Sequence, residues 1–321
     1  DYKDLVIYNL ETSGAVLTLN NHIRVFTDGK EKFEDLRREL RQAEHFIHIQ
    51  YYIIKNDEVF DSLIPILLEK VKEGVEVRIL YDGMGGRFMP KKKWQELEAA
   101  GVKVGAFFPA TLGRINLRVN YRNHRKIVVI DGKIGYVGGF NIGKEYIGKD
   151  PKFGYWRDTH LKLYGDAVIS LQVRFALDWN YACRENLFKH AEYFDIPRPV
   201  EEERKRLLEG LNLPCGIQII TSGPDARDRQ IRNNYLELFH KAKKHIYIQT
   251  PYFVPDDAVL SALQVAAKSG VDVRLMIPCK PDHPFVYWAS YSYVGDLLAA
   301  GAKCYTYENG FLHAKGVMTD G

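Results

Sequence analysis

The 321-residue sequence holds only four cysteines, Cys183, Cys215, Cys279 and Cys304. None forms a CxxC pair and none has a histidine at zinc-finger spacing, so neither a metal finger nor a redox dithiol is expected. They read as unpaired core thiols of a reducing compartment. No apolar run approaches the ~18 residues of a membrane span, and no signal peptide opens the chain. Charge of one sign is also scarce, since 45 Lys+Arg against 41 Asp+Glu leaves +4. So small an excess identifies no partner and leaves phosphate or anionic-membrane ligands open. The chain starts Asp1-Tyr2-Lys3-Asp4 without a methionine and stops at Asp320-Gly321; both ends are expected to be cuts in something longer. What remains is ordinary for a folded protein. Hydrophobic residues make up 46% and charged residues 27%, which argues against disorder or a fibrous repeat. The length suits two globular units or one large one.

The chain repeats itself. Residues 43–52, with His45-Phe46-Ile47-His48-Ile49-Gln50, resemble residues 242–252, with His245-Ile246-Tyr247-Ile248-Gln249. Gly74-Val75-Glu76-Val77-Arg78 matches Gly270-Val271-Asp272-Val273-Arg274, and Ala99-Ala100-Gly101-Val102-Lys103 matches Ala299-Ala300-Gly301-Ala302-Lys303. The blocks recur in one order at offsets near 200, too long a period for a solenoid. Two copies of one domain are expected, divided as 1–197 and 198–321.

Each copy alternates helix and strand. In the first, Phe33, Leu36, Leu40 and Ala43 mark a helix, followed by a strand over 46–50. A second helix carries Phe60, Leu63, Leu67 and Val71, with Pro65 predicting a kink or a late start. Strands are expected over 75–80 and 102–107, with a helix over 91–100 between them. Two paired strands, 126–131 and 134–137, meet at Asp131-Gly132, a hairpin signal. The second copy predicts helices over 230–243, 256–269 and 285–300 and strands over 245–249, 271–277 and 302–307. Between the copies lie a strand over 159–164, an apolar helix over 166–183 and a charged joint near 195–214. Such alternation argues for α/β layers around a central sheet. The run 201–206 reads as a solvated helix face. Pro90-Lys91-Lys92-Lys93-Trp94 reads either as a solvated helix start or as an anionic-surface contact.

The pattern that carries chemistry is H-x-K-x4-D. It occurs as His124, Lys126 and Asp131, and again as His313, Lys315 and Asp320. On an extended chain, His and Lys two apart share a face. Imidazole can act as nucleophile or proton donor near neutral pH, and an ammonium can hold charge that builds on phosphoryl oxygens. The aspartates fall on the opposite face, so Asp131 and Asp320 are expected to brace local structure rather than attack substrate. One such pattern arises by chance; two at equivalent places of a repeat do not. A pseudo-twofold pair of domains could bring both histidines into one cleft, one attacking while the other protonates the leaving group. That division of labour needs no metal, and no metal-ligand cluster or cofactor motif is evident.

These motifs resemble those of the phospholipase D superfamily. Gly138-Gly139-Phe140-Asn141 resembles its G-[GS]-x-N segment. The stretches Arg122-Asn123-His124-Arg125-Lys126, Trp156-Arg157-Asp158-Thr159-His160, Gln249-Thr250-Pro251-Tyr252-Phe253 and 278–288 resemble one branch more closely, the bacterial cardiolipin synthases. The likeness covers nearly the whole chain. It implies two phospholipase-D-like α/β/α sandwich domains, the second incomplete: relatives continue past the second motif with another G-[ST]-x-N segment. It implies membrane-spanning segments ahead of the catalytic part in relatives, hence a bacterial membrane enzyme without its anchor here.

The resemblance further implies phosphatidyl transfer between two phosphatidylglycerol molecules, giving cardiolipin and glycerol through a phosphatidyl-histidine. His124 would attack; His313 would protonate the departing glycerol and then deprotonate the acceptor. Lys126, Lys315 and Asn141 would hold the phosphate, and Asp158 would orient a catalytic imidazole unless it pairs with Arg157. Arg122 and Arg125 flank His124 as basic or ion-paired residues. His45, His48, His160, His245 and His283 read as packing or surface histidines, with His283 in a loop the most suggestive. Gln50 and Gln249 line the cleft or satisfy backbone. Phe107-Phe108-Pro109, or the aromatic set from Phe285 to Tyr293, would meet an anionic membrane, the latter set fitting a core helix face equally well. Rival readings are lipid hydrolysis to phosphatidic acid, another phosphatidyl transfer, a nuclease, and a non-catalytic lipid-binding scaffold. The small net charge disfavours a nucleic-acid partner.

Overall fold

The computed structural model describes residues 2–108, 122–195, 201–211, 214–224, 226–280, 282 and 284–320. In chain order the elements are α1 (Lys3–Ser13), β1 (Thr18–Phe26), α2 (Gly29–Arg41), β2 (Phe46–Tyr51), α3 (Glu58–Lys72), β3 (Glu76–Asp82), α4 (Lys91–Ala99), β4 (Lys103–Phe107), β5 (Ile127–Ile130), β6 (Ile134–Gly138), β7 (Trp156–Arg157) and β8 (His160–Gly165). There follow α5 (Ala167–Cys183), α6 (Glu201–Leu208), β9 (Cys215–Ile217), α7 (Gln230–Lys241), β10 (His245–Gln249), α8 (Asp257–Lys268), β11 (Asp272–Pro278), α9 (Pro284–Ala299), β12 (Lys303–Tyr307), β13 (Phe311–Leu312) and β14 (Gly316–Thr319). Acidic side chains start several helices by accepting orphan amide protons: Asp28 from Lys30 and Glu31, Asp57 from Val59, and Asp256 from Val259.

The chain forms two compact units, each discontinuous in sequence. One comprises residues 18–147 and 160–219. Its sheet has eight strands in the order β4-β3-β2-β5-β6-β8-β1-β9. Strands β2, β3 and β4 run parallel; β5, β6, β8 and β1 join antiparallel. Helix α5 lays Leu171, Phe175 and Trp179 over Phe46, Leu80, Ile127 and Val129. Phe175 is wholly buried, and burying a side chain of this size contributes about 2–3 kcal/mol.

The other unit comprises residues 1–17, 148–159 and 220–321. It holds a four-stranded sheet, β12-β11-β10-β14, and the short parallel pair β13-β7. The strands β10, β11 and β12 are parallel, and β14 runs antiparallel to β10. Its core gathers Ile246, Ile248, Leu263, Leu275, Ile277 and Leu297. The repeat is visible in register: β2 pairs β5 from Ile47↔Ile130 to Gln50↔Ile127, and β10 pairs β14 from Ile246↔Thr319 to Gln249↔Gly316.

The alternating helices and strands follow the periodicity of the sequence. The hairpin also forms, with Asp131 at φ 52° and Gly132 at φ 65° between β5 and β6, the two positive angles a tight two-residue turn needs. Several particulars differ. Helix α3 begins at Glu58, seven residues before Pro65, so there is no late start; Pro65 lies on the exposed side. Trp94 is 6% exposed and stacks on Tyr81 with ring centroids 4.6 Å apart. The basic start of α4 therefore has no surface aromatic; its Lys91 and Lys92 are exposed. Helix α1 and strand β1 lie where the sequence patterning predicted no element. The expected division at 197/198, Pro109 and His283 lie outside the described residues. The four cysteines are unpaired and half-buried. Among the described residues, no helix is long and apolar enough to cross a membrane.

Candidate active site

Each aspartate of the repeated motif closes the same local structure. The Asp131 carboxylate accepts the backbone N–H groups of Glu44 at 2.7 Å, His45 at 2.8 Å and Phe46 at 2.7 Å. Asp320 accepts those of Lys243 at 2.7 Å, Lys244 at 2.9 Å and His245 at 3.0 Å. Each joins the end of its motif strand to the turn that leads into the neighbouring strand. These backbone bonds stabilise the ionised form and bring the Asp320 pKa down to about 2.

The second motif is set between β13 and β14. His313 is 9% exposed, and its Nδ1 lies 2.6 Å from Asp158 Oδ2. Asp158 is 1% exposed; its other oxygen accepts the Thr159 N–H at 2.7 Å. The backbone fixes this pairing, because the His313 and Ala314 N–H groups donate to the Arg157 carbonyl at 2.8 and 3.1 Å. Arg157 itself donates to the Asp158 carbonyl and to Thr159 Oγ1. It does not take the Asp158 carboxylate, so the acid is left for the imidazole. Lys315 Nζ lies 3.0 Å from His313 Nδ1 and donates to the His313 carbonyl. Burial disfavours its ammonium and brings its pKa down to about 8, opposed by the fields of Asp158 and Asp282. Trp156 and Phe311 pack about the His313 ring, with centroids 5.4 and 6.1 Å away. With Nδ1–H donated to Asp158, Nε2 becomes the ring nitrogen suited to proton transfer.

The first motif repeats the His–Lys geometry in other surroundings. Lys126 Nζ lies 2.9 Å from His124 Nδ1 and donates to the His124 carbonyl at 2.6 Å. Lys126 is buried and His124 exposed. The His124 ring lies 4.6 Å from that of Tyr52. Asn141, 2% exposed, accepts the Ile53 N–H on Oδ1 at 3.1 Å and donates from Nδ2 to the Tyr146 hydroxyl at 2.7 Å. One N–H of its amide remains uncommitted among the described residues.

The other singled-out residues separate clearly. Arg125 donates to Asp178 at 3.1 Å, and Arg122 lies 3.8 Å from Asp82, so both flank His124 as ion-paired groups. Gln50 turns its amide inward, to Asn123 at 3.0 Å and Asp178 at 2.7 Å. His48 is a core residue: it bonds Gln172 at 3.0 Å and stacks on Phe175. His160 is also wholly buried, against Phe140, and burial holds its pKa well down. Phe107 and Phe108 pack on Tyr181. Of the late aromatics, Tyr291 and Tyr293 pack on the core, whereas Phe285 is 91% and Trp288 70% exposed. The sequence reading passed over Asp178. Its signal was there: a charged residue on the apolar stripe Leu171, Phe175, Trp179 implies a buried partner. Among the described residues, no cluster of three or more His, Cys, Asp or Glu side chains could hold a metal ion.

Comparison with known proteins follows this geometry. The family model described as "Cardiolipin synthase, PLD-like domain" matches residues 36–151 and 235–321. The chain is 49% identical over 321 residues to a cardiolipin synthase of Oceanobacillus iheyensis, and 51% identical over 320 residues to the major cardiolipin synthase ClsA of Bacillus subtilis. Each alignment takes in 100% of this chain and 64% of the relative, so the chain spans just under two thirds of their length. A cardiolipin synthase of Staphylococcus aureus is 50% identical, with 99% of this chain and 62% of the relative aligned. Among solved structures, phosphatidylserine synthase of Haemophilus influenzae superposes with a TM-score of 0.66 at 17% identity, covering 100% of this chain and 80% of that one; this likeness shows the fold alone. The chain belongs to the cardiolipin synthase family of phospholipase-D-like domains.

Proposed function

We propose that this member of the family carries the catalytic groups for transfer of a phosphatidyl group from one phosphatidylglycerol to another, forming cardiolipin and glycerol. The observation that carries the reading is the cluster of His313, Asp158 and Lys315: an imidazole held by a buried carboxylate beside an ammonium, with the His–Lys pair recurring at His124 and Lys126. In the first step a His124 nitrogen attacks phosphorus. A P–N bond forms, the P–O bond to the glycerol headgroup breaks, and His313 Nε2 gives its proton to the departing oxygen. In the second step His313 takes the proton of a headgroup hydroxyl on the second phosphatidylglycerol. That oxygen attacks phosphorus and the P–N bond breaks, restoring both histidines. One group acting as acid and then base is the usual requirement of such a two-step transfer. Lys126, Lys315 and the remaining N–H of Asn141 would stabilise the charge on the non-bridging oxygens. Asp131 and Asp320 hold the motif strands in place. Acid, base and charge all come from side chains in this scheme, with the two repeat copies, 1–197 and 198–321, supplying one motif each.

A bilayer substrate requires a lipid-facing surface. Phe285 and Trp288 lie three apart at the start of α9, on one helix face, and both are exposed. Asp282, just ahead of them, bonds the Tyr252 hydroxyl and acts electrostatically on Lys315. The aromatics thus border the second motif, and such side chains suit the headgroup region. They are the proposed contact with an anionic bacterial membrane.

The test is the protein in phosphatidylglycerol vesicles, with products read by mass spectrometry. Cardiolipin and free glycerol in equal amounts are expected. Phosphatidic acid alone, or cleavage of DNA with no lipid product, would overturn the reading. Acid-quenched turnover should leave phosphate on His124; an adduct found on His313 and never on His124 reverses the two roles. Replacing Phe285 and Trp288 together by serine should lower vesicle binding in sedimentation, and unchanged binding removes them from the membrane surface.

A further inference from the structure

We infer that Asp178 is a positioning residue for His124, acting through Asn123; the inference rests on His124 taking part in the proposed transfer. His124 lies in a stretch, residues 122–126, that belongs to no helix or strand. Side-chain hydrogen bonds help to hold it. The residue before it supplies the grip. Asn123 is 4% exposed, and its backbone N–H donates to Asp82 Oδ2 at 2.9 Å. Its amide Nδ2 donates to Asp178 Oδ2 at 2.8 Å, and its Oδ1 accepts from Gln50 at 3.0 Å and from the Arg125 N–H at 3.3 Å. Successive Cα atoms are ~3.8 Å apart, so fixing Asn123 fixes the root of the His124 side chain.

Asp178 is the hub of this arrangement. It is 2% exposed on α5. Oδ2 accepts from Gln50 at 2.7 Å, Asn123 at 2.8 Å and Arg125 at 3.1 Å, while Oδ1 accepts from Arg174 at 2.6 Å. Every partner is a donor, and an ionised carboxylate is acceptor-only. An asparagine has the same shape but must turn an NH2 group toward donors whichever way it is placed. Gln50 lies on β2, Arg125 and Asn123 flank His124, and Arg174 lies one turn earlier on α5. The carboxylate therefore ties the sheet, the helix and the motif together.

The test is Asp178→Asn in the protein assayed on phosphatidylglycerol vesicles. A displacement of about 1 Å at a reacting group can cost about 100-fold in rate. A fall in kcat of about that size is expected with KM unchanged, since Asp178 holds the residue before His124 rather than the substrate. Glu39→Gln, which breaks a different buried ion pair of the same unit with Lys162, serves as the stability-matched control and should keep its kcat. A folded Asp178→Asn protein with the parent kcat overturns the inference. If that variant does not fold, Asn123→Ala leaves Asp178 with Gln50, Arg125 and Arg174 and should show the same kcat deficit; parent activity there overturns it equally. If the parent protein makes no cardiolipin, the functional reading fails by itself. Asp178 is then judged by amide hydrogen exchange at residues 123–126, which Asp178→Asn must accelerate and Glu39→Gln must not.

Discussion

His124 and His313 stand at equivalent positions of the repeat, yet the first is exposed and the second keeps 9% of its surface. Their immediate frames are alike. A lysine two residues on approaches Nδ1 to 2.9 Å in one and 3.0 Å in the other. An aspartate at the strand end collects three backbone N–H groups in each. The surroundings differ. His313 bonds a buried carboxylate directly, and Asp178 bonds Asn123, the residue before His124. A directly held, buried imidazole suits repeated proton transfer; an exposed one on a braced loop suits attack on a bulky phosphodiester. Identical motifs can thus serve unlike tasks, because burial and acid partner are set outside the motif.

The largest expected effects test whether both copies act. His124→Ala and His313→Ala should each lower cardiolipin formation at least about 1000-fold, since groups that act as a unit fail together. Substantial activity in either variant would break the comparison by making one copy dispensable. Asp158→Asn comes next, with a loss of about 100-fold or more, the usual scale for a general acid–base group. Its adduct on His124 should still form from a substrate with a good leaving group, because only proton transfer by His313 is impaired. Failure to form that adduct would place Asp158 in the attack step as well.

The pH dependence singles out Lys315. The Lys315 ammonium persists below its pKa of about 8 and is lost above it. Rising pH therefore removes the charge proposed to hold the phosphate, and kcat/KM should fall about tenfold per pH unit beyond that point. In Lys315→Arg the charge persists, and this limb should vanish; a limb that survives belongs to another group. The same depressed value makes the charged lysine unfavourable in the folded state, so this contribution to stability improves from about pH 8 up to the ordinary lysine value of ~10.4.

The smallest effects concern the braces. Asp131→Ala strands three N–H groups, one buried and two part-buried, and should cost about 3 kcal/mol in urea unfolding. Asp320→Ala should cost less, because its three donors are exposed or part-buried and water replaces the carboxylate. Equal losses would show that the two braces are buried alike in solution.

Much of this arrangement was legible from residues. Hydrophobic spacing predicted α2, α5, α7, α8 and α9, and Asp131-Gly132 predicted its hairpin, because each depends on side chains a few positions apart. Asp158 was legible only as one of two alternatives. Which imidazole it meets was decided by where Arg157 places its carbonyl, which accepts the His313 N–H. Asp178 was not legible as the hub behind His124. Apart from Arg174, its partners lie 128, 55 and 53 positions away, beyond any local period. Likewise Phe285 and Tyr291 read as one aromatic set, and only packing exposed the first and half-buried the second.

The sequence by itself determined the alternation of elements, the repeat and the pairing of each histidine with its lysine. These rest on short-range geometry: residues two apart on an extended chain share a face. The tertiary structure alone decided which acid meets His313, 155 positions distant, and which carboxylate steadies the residue beside His124. Such contacts arise where strands and helices already folded come together, and a buried carboxylate takes whichever donors that packing brings within reach.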